Sequence, residues 1–508
     1  MIFLQWVVEL LSKILKMARL FIFGIGGTGS RVIKSLIMLL SAGIKPGKFD
    51  EVVPIIVDPH KELQELNDCK RLIRLYSKIN EIAFSKNSEI SEGFFRTKMI
   101  TLKSASTDQT LKDDIEFDEK SNESFGDFIN KTGIRRISPN TLDLLSLLYS
   151  EKNFSQPLNI GFKGNPHMGS LVLNSLFGGK AFNTFKSIFG RNDRIFIISS
   201  VFGGTGAAGF PLLLKNFRHS DNPEIRDCQI GALSVLPYFK LSEAKETSDI
   251  DSNDFMTKTK SALSYYINPD FTNLYNSIYY IADIDGQTDP YKNDEKNQPN
   301  KAHLIELLGA AAIIHFAENS NYSKGDVKEY CLGGDVESIN FGNVGNPTRD
   351  LFKSGLSSLH LFSKIHPMIK ENLNRLAFCK VNDFNNEFFN NNFFTDQETG
   401  LEMFFKEFYS KWISELYENQ RSFRPFNLEH NKNYRNLVVG DKLDKHFWDG
   451  IFTIPVDSSD LLNKISKTIT EKDVRLLKED NKNCQYLSVC WKGSKIFVQT
   501  HFKTQENG

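Results

Sequence analysis

The sequence predicts an open α/β domain on a parallel sheet, with a central buried helix and a C-terminal α+β domain, and three observations carry that prediction. Apolar runs of strand length recur, among them Leu20 to Phe23, Val52 to Val57 and Arg194 to Ser200. Two of these run directly into glycine-rich turns, Gly24 to Ser30 and Gly203 to Gly209, and each turn opens a stretch of helical period. The third observation is the segment Lys301 to Glu318, with the run Ala310-Ala311-Ala312, which is apolar on all sides as a helix buried at a domain centre is.

Taken in order, Met1 to Lys16 forms an amphipathic helix. Gln5, Glu9, Ser12, Lys13 and Lys16 share one face, opposite Phe3, Leu4, Trp6, Val7, Leu10, Leu11, Ile14 and Leu15. Three readings stand: a helix packed on its own protein, a helix that contacts a membrane surface or partner, or a start that properly belongs at Met17. Leu20 to Phe23, the first glycine turn, the helix through Leu40 and the strand Val52 to Val57 make one βαβ unit, hence parallel pairing. About 68 to 156 reads as a mainly helical insertion without a strand, its clearest element being Asn140 to Tyr149.

Regularity returns at Leu158 to Gly161 and at Arg194 to Ser200, followed by a helix from Phe210 to Arg218. Strands at Gln229 to Leu236 and Ser277 to Ile281 are stopped by Pro237 and Asp283, and a polar loop leads to the apolar helix. Beyond Gly325 the character changes to a Gly/Asn-rich run, Phe-rich helices from Asp350 to Tyr417, and two late strands, Gly450 to Ile454 and Ser488 to Gln499. The expected organisation is an N-terminal helix 1–16, a nucleotide-binding domain 17–320, and a C-terminal α+β domain 321–508.

Composition narrows the function. The 508 residues hold 62 basic and 62 acidic side chains, 40% hydrophobic residues and 24% charged ones. That is a globular chain without the basic excess of a phosphate-neutralising nucleic-acid binder. The six cysteines are scattered, with no metal-ligand spacing, which predicts reduced thiols in a cytoplasmic protein and no metal cluster. No apolar stretch approaches the roughly 18 residues of a membrane span. Phe is abundant, 42 residues against 4 Trp and 15 Tyr, and its clusters at Phe388-Phe389, Phe393-Phe394 and Phe404-Phe405 read as core packing or as an association surface.

The glycine turns carry the chemistry. A glycine backbone lets phosphate oxygens approach closely, and the helix behind it offers unpaired N–H groups and a positive dipole end. Gly24, Gly26 and Gly29 alone fit any dinucleotide-binding unit. A second turn, Gly203-Gly204-Thr205-Gly206, points to a polyphosphate held from two sides, with the Thr205 hydroxyl as a donor. The plainer alternative is that both sets of glycines only permit tight strand-to-helix turns.

These residues resemble the tubulin/FtsZ superfamily of GTP-binding proteins, and within it the divergent prokaryotic tubulin-like members. Gly24-Ile25-Gly26-Gly27-Thr28-Gly29-Ser30 is similar to the first phosphate loop, and Val57-Asp58-Pro59-His60-Lys61-Glu62-Leu63 to the following strand end. Gly161-Phe162-Lys163-Gly164-Asn165-Pro166-His167-Met168-Gly169 resembles the γ-phosphate-sensing loop. Phe202-Gly203-Gly204-Thr205-Gly206-Ala207-Ala208-Gly209 resembles the signature loop, with Phe202 in place of its first glycine. Leu304-Ile305-Glu306-Leu307-Leu308-Gly309-Ala310-Ala311 resembles the central helix.

The resemblance implies a Rossmann-like domain that binds GTP or GDP, with Mg2+ as a candidate co-ligand, and that switches or self-assembles with itself or a protein partner. Phosphates would lie on Gly24, Gly26, Gly27, Thr28, Gly29, Ser30, Gly161, Gly164, Asn165, Gly203, Gly204, Thr205 and Gly206. Glu306 would read the guanine edge, with Asp58, Asn300 and His303 as further base or ribose candidates, His303 also reading as a structural histidine. The superfamily hydrolyses GTP with an Asn-x-Asp-x-x-Asp loop from the next subunit. Here Asn340-Phe341-Gly342-Asn343-Val344 has Gly342 at the aspartate position, and Asp335, Glu337 and Asp350 lack the spacing, so binding rather than turnover is implied.

The resemblance extends to proteins of prokaryotic defence systems, which implies a scaffold or sensor role. Two alternatives stay open. One is a Rossmann-type enzyme, either a dinucleotide-dependent oxidoreductase or an adenylating enzyme of the ubiquitin-activating type, with Asp58 on a ribose 2′-OH. The other is a nucleotide-independent structural protein on a decayed tubulin fold.

Overall fold

A computed structural model describes residues 18–60, 63–84, 92–111, 123–131, 139–158, 162, 165–241, 253–283, 290–291, 300–319, 321–332, 336–372, 393–394, 400–428, 434–439, 457–468 and 482–502. The N-terminal helix expected over 1–16, Leu158 to Gly161 beyond its first residue, Phe388-Phe389 and the strand expected at Gly450 to Ile454 lie outside them.

Strand β1 (Arg19–Ile25) passes into helix α1 (Gly26–Ser41), β2 (Glu51–Val57) precedes α2 (Gln64–Ala83), and a short β3 (Lys98–Met99) follows. Short helices at Phe125–Lys131, Pro139–Leu148 and Glu151–Phe154 lead to α3 (Pro166–Leu173) and α4 (Lys180–Ile188). The chain then runs through β4 (Arg194–Ser200), α5 (Gly204–Arg218), β5 (Ile230–Val235), α6 (Asn253–Tyr266), β6 (Ser277–Asp283), α7 (Leu304–Glu318) and β7 (Asp326–Leu332). The C-terminal part adds α8 (Thr348–Glu371), α9 (Ser410–Glu418), α10 (Ser458–Thr468) and α11 (Lys482–Phe502), with a short parallel pair between Ser338–Ile339 and Ser422–Phe423.

The seven long and short strands form one sheet in the order β3-β2-β1-β4-β5-β6-β7, and every pairing is parallel. Every residue of β1, β2, β4 and β5 is buried, because helices cover both faces, so these strands read as continuous apolar runs rather than alternations. Gly24 of β1 sits between Ile56 and Ile198. The strand order reverses direction between β1 and β4, and at such a switch point a crevice opens outside the carboxyl ends of the strands.

Helix α7 lies at the centre, as its all-round apolar sequence predicts. Gly309 lets it approach the sheet: a Cβ there would stand 2.7 Å from Leu233 Cδ2 and 3.3 Å from Val32. Helices α8, α10 and α11 pack together and against α1 and α2.

Three expectations are corrected. The segment 68–156 was expected to hold no strand, but Lys98–Met99 pairs with Glu51 and Val52 at the sheet edge; two residues carry no period to detect. The strand β7 lies beyond the domain boundary expected at 320, yet pairs along its whole length with β6. Its sequence, Asp-Val-Lys-Glu-Tyr-Cys-Leu, is that of an edge strand, with Val327 44% and Tyr330 47% exposed and charges that discourage further pairing. Ser488 to Gln499 is helical, within α11, rather than a strand. Its buried residues Tyr486, Cys490, Gly493, Phe497 and Val498 follow helical spacing, while its β-branched and aromatic content suggests the opposite.

Of the described Phe clusters, Phe404-Phe405 is core and Phe393-Phe394 is partly buried against it. Phe94 stacks on Phe362 at 4.6 Å between centroids, Phe362 meets Phe405 at 5.3 Å, and Phe404 is fully buried. Among the described residues no helix is long and apolar enough to cross a membrane.

Candidate functional site

The first glycine turn is built by close approach. A Cβ on Gly29 would stand 2.3 Å from the Gly24 carbonyl carbon, so α1 can leave β1 at this angle only when both residues lack side chains. Gly26 has φ +68°, a left-handed conformation that costs any other residue about 1–2 kcal/mol. Gly27 and Thr28 are half-buried, whereas Ser30 is fully buried and its hydroxyl donates back to the Gly26 carbonyl at 3.5 Å.

The second turn follows β4, next to β1 in the sheet. Gly203 is the N-cap of α5, so the helix begins inside the turn and not at Phe210 as its sequence period suggests. A Cβ on Gly206 would stand 2.8 Å from the Ser200 carbonyl oxygen, which makes this glycine a packing requirement. Gly203 and Thr205 are half-buried. The two turns touch: a Cβ built on Gly26 would lie 3.6 Å from Thr205 Cβ and 4.0 Å from the Gly206 nitrogen. Two helix N-termini, those of α1 and α5, thus converge at the switch point of the sheet.

Asn165 caps α3, its Oδ1 accepting from the His167 and Met168 amides at 3.1 and 3.2 Å. Helix α3 lies tight on α5 through Gly169, whose Cβ position is 2.8 Å from Ala208 Cβ, so Asn165 is carried to the flank of the second turn. Gly161 and Gly164 lie outside the described residues.

At the other side of the crevice, α7 begins with a reciprocal cap: His303 Nδ1 accepts from the Ile305 amide at 3.1 Å, and Glu306 Oε2 accepts from the His303 amide at 3.2 Å. His303 is buried and caps the helix. Burial, with Arg31 and Arg421 nearby, pushes its pKa down to about 3, so it stays neutral. Glu306 is 2% exposed. Its Oε1 accepts from the Tyr238 hydroxyl at 3.0 Å and also pairs with the Arg31 guanidinium, which donates at 3.1 Å to the Lys301 carbonyl. Burial raises the Glu306 carboxyl above its ordinary range, with Arg31 opposing.

Arg31 further reaches Glu65, 3.9 Å away, and Lys34 meets the same carboxylate at 3.4 Å. Asp283, at the end of β6, pairs at 3.1 Å with Arg421, which is 1% exposed. Sequence reasoning missed Arg31 and Arg421, and placed Tyr238 with Pro237 and Phe239 where the superfamily has its sugar-binding loop rather than against Glu306. The available signal was Arg31 itself, a charge directly after the first turn at the start of an apolar helix. Asn300 is half-buried on the approach to α7.

Asp58 ends β2, and its Oδ1 accepts from the His60 amide at 2.9 Å. Burial pushes its pKa up to about 6, against the His60 N–H and Lys70. The folded carboxyl therefore holds its proton to higher pH than the unfolded one. Its ionisation is a cost, complete above about pH 6 and relieved as the pH falls from there toward 4. Asp58→Asn keeps the acceptor for His60 and removes the charge, and is expected to stabilise the protein at pH 8 by about 1–2 kcal/mol. Urea unfolding at pH 8 and pH 4.5 checks this, the gain vanishing at the lower pH; an equal shift at both values refutes the burial argument.

The segment Asn340 to Val344, where a hydrolytic loop was sought, is a closed 3-10 turn: Asn340 Oδ1 accepts from the Gly342 amide at 2.8 Å, and Asn343 Oδ1 from the Asn340 amide at 3.0 Å. Asp350 is engaged by Arg349 at 3.3 Å.

No protein-family model matches the chain, and no curated protein sequence matches it. Among solved structures it is similar to a GTPγS-form protofilament of TubZ from Bacillus thuringiensis serovar israelensis, at 12% identity over 59% of this chain, with a TM-score of 0.23. The match spans 55% of that protein's length.

Proposed function

We propose that this protein is a tubulin/FtsZ-like nucleotide-binding switch or self-assembling scaffold, with GTP or GDP held across the β1–β4 crevice and no hydrolysis by the superfamily's loop. One observation carries the reading: the two glycine turns of adjacent parallel strands meet at the switch point, with the N-termini of α1 and α5 aimed at one place. Gly26 to Thr28 on one side and Gly203 to Thr205 on the other would hold the phosphates. Asn165, at the flank, completes that set. Thr28 and Thr205 are the half-buried hydroxyls that could hold a phosphate-bound Mg2+. No basic surplus is needed for this, since the donors are backbone amides, in keeping with the equal charge count.

Glu306 remains the guanine-reading candidate, on one condition. Its carboxylate must exchange Arg31 or Tyr238 for the base, so nucleotide binding and the opening of this cluster are one event. A scaffold role in a defence system belongs to the same reading and rests on the resemblance alone.

GTP at about a hundred times its Kd is expected to stabilise the chain by about 2.7 kcal/mol, seen as a rise in thermal midpoint that ATP and NAD do not reproduce, with guanine nucleotide released on denaturing the purified protein. Protection by NAD or ATP with GTP inert would instead support a Rossmann-type enzyme. Asp58 at the β2 end, beside the first glycine turn, is the observation that keeps that reading in view. Absence of protection by all three would leave the structural protein on a decayed fold.

A further inference from the structure

We propose that the segment Glu415 to Arg421 is an autoinhibitory latch, which holds the cluster around Glu306 shut and whose release admits the nucleotide base. The proposal deepens the nucleotide reading and rests on it for the identity of the ligand. The closed cluster itself is structural: Arg31, Tyr238, His303 and Glu306 are all buried. Both oxygens of the Glu306 carboxylate are engaged, Oε1 by Tyr238 and Arg31 and Oε2 by the His303 amide.

The three residues that lead into α7, Lys301 to His303, fasten this cluster. The Arg31 guanidinium that pairs with Glu306 also donates to the Lys301 carbonyl at 3.1 Å, and His303 closes the cap with Glu306. The same three residues are gripped from α9 and the turn that follows it. Glu415 Oε2 accepts from the Ala302 amide at 3.1 Å, and Asn419 Nδ2 donates to the Ala302 carbonyl at 2.6 Å. Lys301 Nζ donates to the Glu418 carbonyl at 3.0 Å. Two residues beyond Asn419, Arg421 pairs with Asp283 Oδ1, and the other oxygen of that carboxylate lies 3.9 Å from His303 Nε2.

The Ala302 contacts carry the grip. The Lys301 and Glu418 side chains are exposed, and an exposed pair contributes little. Ala302 is buried, and both its backbone groups are taken by side chains of the C-terminal part. Releasing them without new partners leaves a buried donor and acceptor unpaired, which is costly. To free Glu306 for a base, the cluster must either move Lys301 to His303 or detach Arg31 from the Lys301 carbonyl. The closed arrangement therefore has contacts to the C-terminal segment that the open one lacks, which is what couples the two places. A ligand that needs the open arrangement binds with an apparent affinity reduced by the fraction of molecules that are open.

The test is amide-resolved hydrogen exchange on the full chain, with the E415A/N419A double variant and, as control, Glu402→Ala, which removes only an exposed pair with Lys406. The readout is the amides of His303, Ile305 and Glu306, whose partners lie within the cap and not in the C-terminal segment. Without nucleotide, the double variant is expected to exchange them at least about tenfold faster, with β1 and β4 and the control unchanged. Equilibrium dialysis is expected to show GTP bound at least about fivefold more tightly by the double variant. In wild type, GTP is expected to speed exchange across Glu415 to Ser422, since coupling is reciprocal. Unchanged exchange of the three cap amides overturns the latch. Weaker GTP binding with β1 and β4 intact also overturns it, because the segment would then support the site and not shut it, as does unchanged or slower exchange across Glu415 to Ser422 with GTP bound. If β1 and β4 exchange faster in the double variant, Asn419→Ser alone is read in the same way. If no form binds GTP, the nucleotide reading fails, while exchange in the nucleotide-free chain still decides whether this segment holds the cluster closed.

Discussion

Replacing Arg31 by Met is expected to lower stability by about 3–5 kcal/mol at pH 8, because it leaves the Glu306 carboxylate charged and unpaired in a buried site. The loss is expected to shrink at pH 5. Burial already raises the Glu306 pKa, and Arg31 is the group that opposes the rise. Without Arg31 the folded carboxyl holds its proton to still higher pH, so the cost of its charge is present at pH 8 and relieved as the pH falls. Adding Glu306→Gln removes the charge and keeps an oxygen for the Tyr238 hydroxyl and the His303 amide. The R31M/E306Q pair is therefore expected to recover more than half of the loss. Urea-unfolding midpoints at the two pH values for wild type, both single variants and the double give the coupling directly. An equal loss at both pH values, or no recovery in the double, would show that Arg31 contributes by packing and not by pairing.

The second large effect separates two glycines with the same sequence appearance. Gly29→Ala is expected to cost about 3 kcal/mol or more, since the new methyl meets backbone atoms that cannot yield. Gly24 is fixed between β2 and β4 by pairing on both sides, and the Cβ of residue 29 would stand 2.3 Å from its carbonyl carbon and 2.6 Å from its Cα. Gly203→Ala is different. Its φ of −84° suits any residue, and its Cβ meets only the Ser200 hydroxyl oxygen, at 3.1 Å, which can rotate away. That variant is expected to fold within about 1 kcal/mol of wild type and to lose most of the GTP-dependent rise in thermal midpoint, because the methyl enters the cradle. A folded Gly203→Ala protein with the full GTP response would remove the second turn from the site.

Much of this site was legible because its grammar is local. The turns after β1 and β4 announce themselves through glycines placed between an apolar run and a helical period, and the core strands through unbroken apolar sequence. The capping role of His303 and Asn165 is local too, with acceptor and amide two or three residues apart, but it was not read from the sequence. The helix α11 was misread for a related reason: residue preference and period disagreed there, and the period, which records the buried face, prevails once a partner surface exists to bury it. Strands β3 and β7 escaped because edge positions impose little hydrophobic pattern. The register that makes them strands is supplied by β2 and β6.

The sequence by itself determined the parallel α/β core, its two glycine turns and the buried central helix, since each depends on a short-range period or on a residue type needed at one backbone position. Only the tertiary structure decided that the two turns meet, that Ser30 and Gly206 serve packing, and that the carboxylate expected to face a base is held by Arg31 and Tyr238. It also decided that Glu415 and Asn419, far along the chain, grip the entry to α7. The physical reason is that charge pairing and hydrogen bonding between segments depend on distance in space, and a chain can bring any two of its segments together without marking either of them in sequence.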